Sequence, residues 1–175
     1  LLYTGVMYTD GPYALRFPRG TGSGARTDLP MKRIPIGRAE QLREGADITL
    51  VGFGATVAEC LKAADILEEA GIQASVVNAR FAKPLDEDML RDAAAHRLVV
   101  TVEDGIRTGG VGMQIQDAIA GLGASRACPP VLILGLPSEF LPHGNPDQIL
   151  ADLGLDAAGI LASTEAALAR LTSPL

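Results

Sequence analysis

The fold class is set by the stretch ITLVGFGATVAE, residues 48–59 of a 175-residue chain. Its β-branched beginning, residues 48–52, predicts a buried strand, and a glycine-containing turn follows. Thr56 and Glu59 have the spacing of a capping box, which predicts that a helix begins there. Gly71 stands where such a helix usually ends. The stretch therefore predicts one strand–turn–helix unit.

The same alternation of strand and helix continues along the rest of the chain. Asp86 is the predicted cap of a helix beginning at about Glu87, and Asn145-Pro146 predicts another helix start. Further strands are predicted at 74–78, 98–102 and 131–134, and further helices at about 111–122 and 157–171. Continuous apolar strands between helices predict an α/β fold of three layers, a mostly parallel sheet with helices on both faces.

The first 30 residues have a different pattern. Residues 1–8 have the character of the closing turns of a helix, and a turn and a short strand at 13–17 follow. These elements cannot bury their own apolar faces, so we expect them to complete a domain that lies upstream. Glycine-rich residues then predict a flexible connection. We predict the end of a preceding domain in residues 1–20, a linker in 21–30 and the α/β domain in 31–175.

Composition excludes several classes of function. The net charge of −6, without a Lys/Arg cluster, argues against binding to nucleic acid. No apolar run approaches the roughly 20 residues of a membrane span, and no signal-peptide pattern opens the chain. Cys60 and Cys128 lack metal-ligand spacing, and Cys60 is predicted to be a buried apolar residue. We expect a soluble protein in the reducing cytoplasm.

One candidate binding site is the turn at residues 52–56, between a predicted strand and helix, where phosphates are often bound. A dinucleotide site would need a third glycine where Val57 stands. It would also need an acid at the end of the next strand, where the sequence has residues 78–80, Asn-Ala-Arg. A structural turn is therefore the favoured interpretation.

A second candidate is the carboxylate pair Glu103 and Asp104, which precedes the glycine-rich residues 109–112. Paired carboxylates could bind a metal or act as acid and base, but a subunit-interface or turn cluster is favoured. His96 is predicted to cap a helix end or pair with its dipole, and His143 to be a structural loop residue. Composition and spacing thus indicate an α/β domain, but they do not identify a set of catalytic residues.

Several segments together resemble one family. They are residues 8–20, 78–86, 102–104 with 109–110, 135–137 with 142–144, and 153–160. They occur in order over nearly the whole chain, which resembles the C-terminal part of 1-deoxy-D-xylulose-5-phosphate synthases, enzymes of transketolase type. A small departure is Gly-Ile-Arg-Thr at residues 105–108, where family members often have Asn and apolar residues.

The resemblance implies a transketolase C-terminal-domain fold and an enzyme that uses thiamine diphosphate and Mg²⁺. Such an enzyme condenses pyruvate with D-glyceraldehyde 3-phosphate to 1-deoxy-D-xylulose 5-phosphate and CO₂, for isoprenoid, thiamine and pyridoxal synthesis. In the family the cofactor sites and the activating glutamate lie in upstream domains. The resemblance therefore assigns this chain no catalytic, cofactor or metal residue, predicts no activity for it alone, and implies a homodimer. Arg19 matches the arginine that binds the acceptor's phosphate.

Other classes of protein stay open at this point. The last domain of a transketolase or of a 2-oxoacid dehydrogenase β chain would be similar, although residues 16–20 and 153–159 favour the synthase. A stand-alone anion- or nucleotide-binding module and a purely structural dimerisation domain are alternatives of a different kind.

Overall fold

The computed structural model describes residues 1–17, 28–122 and 128–172. Its strands are β1 (Glu40–Arg43), β2 (Ile48–Phe53), β3 (Ala74–Asn78), β4 (Val99–Ile106) and β5 (Val131–Leu136). Its helices are α1 (Leu2–Val6), α2 (Val57–Glu69), α3 (Glu87–Ala93), α4 (Val111–Leu122), α5 (Pro146–Asp152) and α6 (Ala157–Thr172), and a short 3₁₀ turn, Gly54–Thr56, precedes α2. Arg19 lies outside the described residues.

The five strands form one sheet in the order β1-β3-β2-β4-β5. Strands β3, β2, β4 and β5 are parallel, and only β1 runs antiparallel, beside β3. This confirms the predicted mostly parallel sheet. Strand β1 was not predicted, because it is a four-residue edge strand with a single apolar residue, Leu42, and carries no buried alternation.

Helices cover both faces of the sheet, as predicted. One face packs against α2 and α6, and its buried residues include Leu50, Val76 and Val100. The opposite face packs against α3 and α4 through Val51 and Val99. Since successive residues of a strand point to opposite faces, the apolar runs supply both cores at once. Among the described residues no helix is long and apolar enough to cross a membrane.

The predicted strand at residues 13–17 is wrong. The chain there has no regular structure and folds back on α1 instead. The Tyr13 hydroxyl donates to the Leu1 carbonyl at 3.3 Å, and its ring occupies the space beside Gly5. The segment also contacts the region after residue 30, since Ile34 N–H donates to Thr4 Oγ1 at 2.8 Å. The division into residues 1–20, 21–30 and 31–175 stays a prediction.

Asp86 caps α3 as predicted and also fixes the chain before β1. Its carboxylate accepts from Asp88 N–H at 3.0 Å, from Met89 N–H at 3.4 Å and from Ala39 N–H at 2.8 Å. Arg38 Nη1 lies 3.2 Å away. Burial opposes ionisation of this group, but the three N–H donors and the Arg38 guanidinium outweigh burial and hold the pKa of Asp86 below its usual range.

We expect Asp86→Ala to lower the free energy of unfolding at pH 7 by about 2 kcal/mol, because the helix cap and the Ala39 hydrogen bond are both lost. The folded pKa is depressed, so the stabilisation is present above the ordinary value of 3.8 and is lost as the pH falls through the folded pKa. Urea unfolding from pH 7 to pH 2 measures this. If the difference in free energy of unfolding between wild type and Asp86→Ala does not shrink at low pH, the prediction is contradicted. The control is Asp88→Asn, a change at an exposed neighbouring carboxylate.

Candidate functional site

The carboxyl ends of the parallel strands form one edge of the sheet, the edge at which α/β proteins usually place their sites. Strands β2, β3, β4 and β5 end there, so the turn after β2, the carboxylates of β4 and the loop after β5 meet at this edge. We call it the carboxyl edge. It contains most of the candidate site residues that were identified from the sequence, whereas His96 lies at the opposite end of the sheet.

Glu103 is buried at this edge, with 4% of its surface exposed. Its Oε2 accepts from Val111 N–H at 3.1 Å and its Oε1 from Gly112 N–H at 2.9 Å. These N–H groups begin α4 and have no partner within the helix, and a carboxylate there also meets the positive end of the helix dipole. Glu103 is therefore an anchor between β4 and α4, which agrees with the turn-cluster interpretation.

The glycines before α4 make room for this carboxylate. A Cβ on Gly110 would lie 2.5 Å from Glu103 Oε1, and it would also collide with the Ile106 carbonyl. A Cβ on Gly112 would lie 2.5 Å from Thr101 Oγ1. Close packing thus explains Gly110 and Gly112, whereas Gly109 adopts a left-handed backbone conformation, with φ +78°, that favours glycine.

Asp104, the next residue, points away from Glu103 and is partly exposed. Its Oδ1 lies 3.5 Å from Arg16 Nη1 and close to Gly54. The N-terminal segment, the β2–α2 turn and β4 therefore meet at this carboxylate. Among the described residues no three His, Cys, Asp or Glu side chains come together as metal ligands would.

The predicted capping box at Thr56 and Glu59 is wrong. The Thr56 hydroxyl donates to the Val102 carbonyl at 2.6 Å, so it fastens the turn to β4. Glu59 pairs with Lys62 at 2.7 Å and accepts from Ala157 N–H at 3.1 Å, at the start of α6. The reason is the 3₁₀ turn Gly54–Thr56, which turns the chain before α2 begins and leaves both side chains free for tertiary contacts.

The turn at residues 52–56 packs closely on the start of α2, and its predicted lack of dinucleotide binding stays a prediction. A Cβ on Gly52 would lie 2.8 Å from Val57 Cα, so strand and helix already touch, and the Thr56 hydroxyl is engaged. We expect no heat of binding with NAD or NADP in calorimetry. Micromolar binding that is abolished by Gly54→Asn would contradict this. The control is Gly71→Asn, which should leave binding unchanged, because Gly71 (φ +79°) and Gly54 (φ +73°) have similar left-handed backbones but Gly71 lies at the end of α2.

The remaining candidates are two histidines and two cysteines, which lie apart from one another in the fold. His96 follows α3, with Nδ1 2.9 Å from the Asp92 carbonyl and Nε2 2.8 Å from the Gly45 carbonyl, which matches its predicted role at a helix end. His143 is exposed in the loop after β5. Cys60 is buried as predicted, and burial raises the pKa of its thiol to about 12, which leaves it unreactive. Cys128 is exposed.

Sequence reasoning missed the anchoring role of Glu103 and the exposure of Phe140 at this edge. Phe140, in the loop after β5, is fully exposed, and Ile106 and Met113 are exposed near the end of β4 and the start of α4. The signal for Glu103 was an acid at the end of a strand followed within ten residues by Gly-Gly-Val-Gly. The stretch Glu139-Phe140-Leu141-Pro142 offered the signal for an exposed apolar loop.

Taken together, the fold and this edge define a class: a three-layer α/β domain in which no three His, Cys, Asp or Glu side chains of the described residues meet as metal ligands. Residues 37–160 match the family model described as transketolase, C-terminal domain. The chain belongs to this family, as the sequence resemblance predicted.

Similar proteins include many synthases. A 1-deoxy-D-xylulose-5-phosphate synthase of Synechococcus sp. (strain JA-2-3B'a(2-13)) is 46% identical over 162 residues, which are 91% of this chain and 24% of the relative. A 1-deoxy-D-xylulose-5-phosphate synthase 1 of Geobacter sulfurreducens is 44% identical over 175 residues, 99% of this chain and 27% of the relative. The chain thus spans about a quarter of the length of these curated relatives.

Two solved structures extend the comparison. A split-gene transketolase in an inactive β4 tetramer has a TM-score of 0.71 and 32% identity, covering 79% of this chain and 44% of that one. A transketolase from Campylobacter jejuni has a TM-score of 0.55 at 20% identity, covering 74% of this chain and 18% of that one. The latter shows similarity of fold alone.

Proposed function

We propose that this chain is the last domain of a 1-deoxy-D-xylulose-5-phosphate synthase. The observation that carries the proposal is its identity of 46% and 44% to such synthases over nearly its whole length. The split-gene transketolase, at 32%, is the specific reason to keep a transketolase as the second candidate. As a synthase, the whole enzyme joins pyruvate to D-glyceraldehyde 3-phosphate with release of CO₂, in the cytoplasm of a bacterium.

The proposal places thiamine diphosphate and Mg²⁺ on other domains. Within the described residues no three His, Cys, Asp or Glu side chains come together, and the Thr56 hydroxyl in the turn at residues 52–56 is engaged by the Val102 carbonyl. Glu103, the best candidate acid, is engaged by two N–H groups of α4. This domain therefore contributes architecture, self-association and, through Arg19, a contact to the acceptor's phosphate.

A domain exchange tests the proposal. The last domain of the Geobacter sulfurreducens synthase is replaced by residues 31–175 of this chain, and product formation from pyruvate and glyceraldehyde 3-phosphate is measured by mass spectrometry. We expect an active chimera, no activity of the 175-residue chain alone, and no synthase activity in a control chimera with a transketolase last domain. A folded but inactive chimera, or turnover by the isolated chain, would overturn the proposal.

The exposed apolar residues at the carboxyl edge lead to a prediction about assembly. Ile106, Met113 and Phe140 each expose apolar surface at this edge, and exposed apolar surface is often buried between subunits. We expect the intact enzyme to form a homodimer and Phe140→Asp to raise its dissociation constant about tenfold or more, because a charge would be buried. Sedimentation velocity measures this, with Ile66→Asp on α2 as the control. A monomer at high concentration would refute it.

A further inference from the structure

The two edges of the sheet differ in how they are protected. Strand β1, at one edge, has only four residues, two of which, Glu40 and Arg43, are charged. Its register with β3 shifts at Leu42, which is an extra, unpaired residue. Shortness, charge and a bulge are features by which proteins keep a sheet edge from pairing with another strand. The edge at β1 is therefore protected.

Strand β5, at the other edge, lacks these features. Its six residues, 131–136, read Val-Leu-Ile-Leu-Gly-Leu and carry no charge. The register irregularity between β4 and β5 adds residues to β4, so β5 itself is regular. Five of its six residues are only half-buried, whereas each inner strand begins with at least four buried residues. A regular apolar edge of this kind is a template for pairing with a further strand.

Only half of the backbone groups of β5 are used within the sheet. Val99 N–H donates to the Pro130 carbonyl at 3.1 Å, and the carbonyl at the last residue of β5 likewise accepts from the β4 side at 2.8 Å. Alternation along the strand therefore points the N–H and C=O groups of Val131, Ile133 and Gly135 away from the sheet. None of the hydrogen bonds between described residues engages these outward groups. They are available to a strand from outside.

The outward groups are symmetric about Ile133. A twofold axis at this residue places two copies of β5 antiparallel, with Ile133 opposite itself and Val131 opposite Gly135, so each outward N–H meets a C=O of the partner. An uncharged strand does not select a basic or an acidic peptide, but it is compatible with itself. Because the edge at β1 is protected, such pairing ends at two copies and does not continue into a filament.

We propose that two copies of this chain join their five-stranded sheets through antiparallel pairing of β5 with β5. The fully exposed Phe140 lies in the loop that leaves β5, so the apolar surface continues from the strand towards the carboxyl edge. The inference rests on the self-association in the proposed function and names the strand that carries it. It does not depend on the synthase activity, which the domain exchange tests separately.

The test is hydrogen exchange of the ¹⁵N-labelled 175-residue chain, followed by NMR at concentrations below and above its association in sedimentation velocity. We expect the amides of Ile133 and Gly135 to exchange about tenfold or more slowly in the associated state, because pairing gives these N–H groups an acceptor. The amides of Leu132 and Leu134, which point to β4, are the internal control and should be protected in both states.

Two proline variants separate pairing from folding. Val131→Pro removes an outward N–H at the first residue of an edge strand, where a folded chain tolerates proline. It should raise the dissociation constant of the dimer about tenfold, because a hydrogen bond is lost on each side of the twofold axis. Leu42→Pro, at the unpaired residue of β1, is the matched control and should leave association unchanged. Circular dichroism establishes that both variants fold.

Three results would overturn the proposal. A dimer in which the Ile133 and Gly135 amides still exchange fast would exclude pairing through β5 but leave the self-association of the proposed function standing. Slow exchange of these amides that persists in the monomer would show that another part of the chain covers the edge. A chain that stays monomeric at every concentration would remove the dimer itself. If Val131→Pro fails to fold, the exchange measurement on the wild-type chain decides.

Discussion

Glu103→Ala is expected to lower the free energy of unfolding by about 3–5 kcal/mol. The change removes two charge-assisted hydrogen bonds, leaves Val111 N–H and Gly112 N–H buried without partners, and opens a cavity between β4 and α4. Domains are stable by only about 5–15 kcal/mol, so the variant should melt far earlier than wild type. Urea denaturation followed by circular dichroism measures the difference.

Two further variants make this prediction specific to the anchor. Gly110→Ala should cost a comparable amount, because its Cβ would displace the same carboxylate. The double variant should then lose less than the sum of the two single losses, since both remove one interaction. Asp104→Ala, at the partly exposed neighbouring carboxylate whose partner Arg16 is itself exposed, should cost less than about 1 kcal/mol. Additive losses, or a small loss for Glu103→Ala, would show that the anchor contributes little.

Arg19→Ala in the full-length enzyme is expected to lower kcat/KM for D-glyceraldehyde 3-phosphate by about 10- to 100-fold. A guanidinium can bind a phosphate with two parallel charge-assisted hydrogen bonds, a geometry that lysine cannot reproduce. Arg19 lies outside the described residues, but Arg16, three positions earlier, contacts Asp104 at the carboxyl edge. This contact places Arg16 at the edge where parallel sheets usually bind ligands.

The comparison of two acceptors makes the Arg19 test selective. With unphosphorylated glyceraldehyde, Arg19→Ala should have little effect, because no phosphate is present to lose a contact. Equal losses with both acceptors, or no loss with either, would contradict a phosphate-binding role. Arg16 is not a neutral control for this experiment, since it pairs with Asp104. Arg19→Lys should recover only part of the loss.

The elements that were predicted from sequence are those whose determinants are local. Helix α3 was predicted from Asp86, and α5 from Asn145 and Pro146, because each cap bonds to N–H groups two or three residues further on. Gly71, with φ +79°, ends α2 through the same kind of short-range geometry. The apolar runs of β2 to β5 predicted a buried sheet because both of its faces are covered.

The errors at the start of α2 have a common physical cause: the partner of each side chain lies elsewhere in the sequence. Thr56 has the spacing of a cap, yet its hydroxyl bonds to Val102, 46 residues away. Glu59 bonds at the start of α6, 98 residues away. Glu103 could be placed at the carboxyl edge from the sequence, but whether it faced a substrate or a helix depended on how α4 packs against β4.

The contact between Glu59 and α6 affects how the domain can be made on the ribosome. One of the two cores includes Leu155, Ile160 and Leu168, and α6 is anchored at its start by a residue of α2. A nascent chain that has emerged as far as residue 152 has its whole sheet but leaves the apolar surface of α2 in water. It cannot complete this core until α6 follows. A chain that ends before residue 157 therefore leaves exposed the face of α2 that α6 covers in the complete domain.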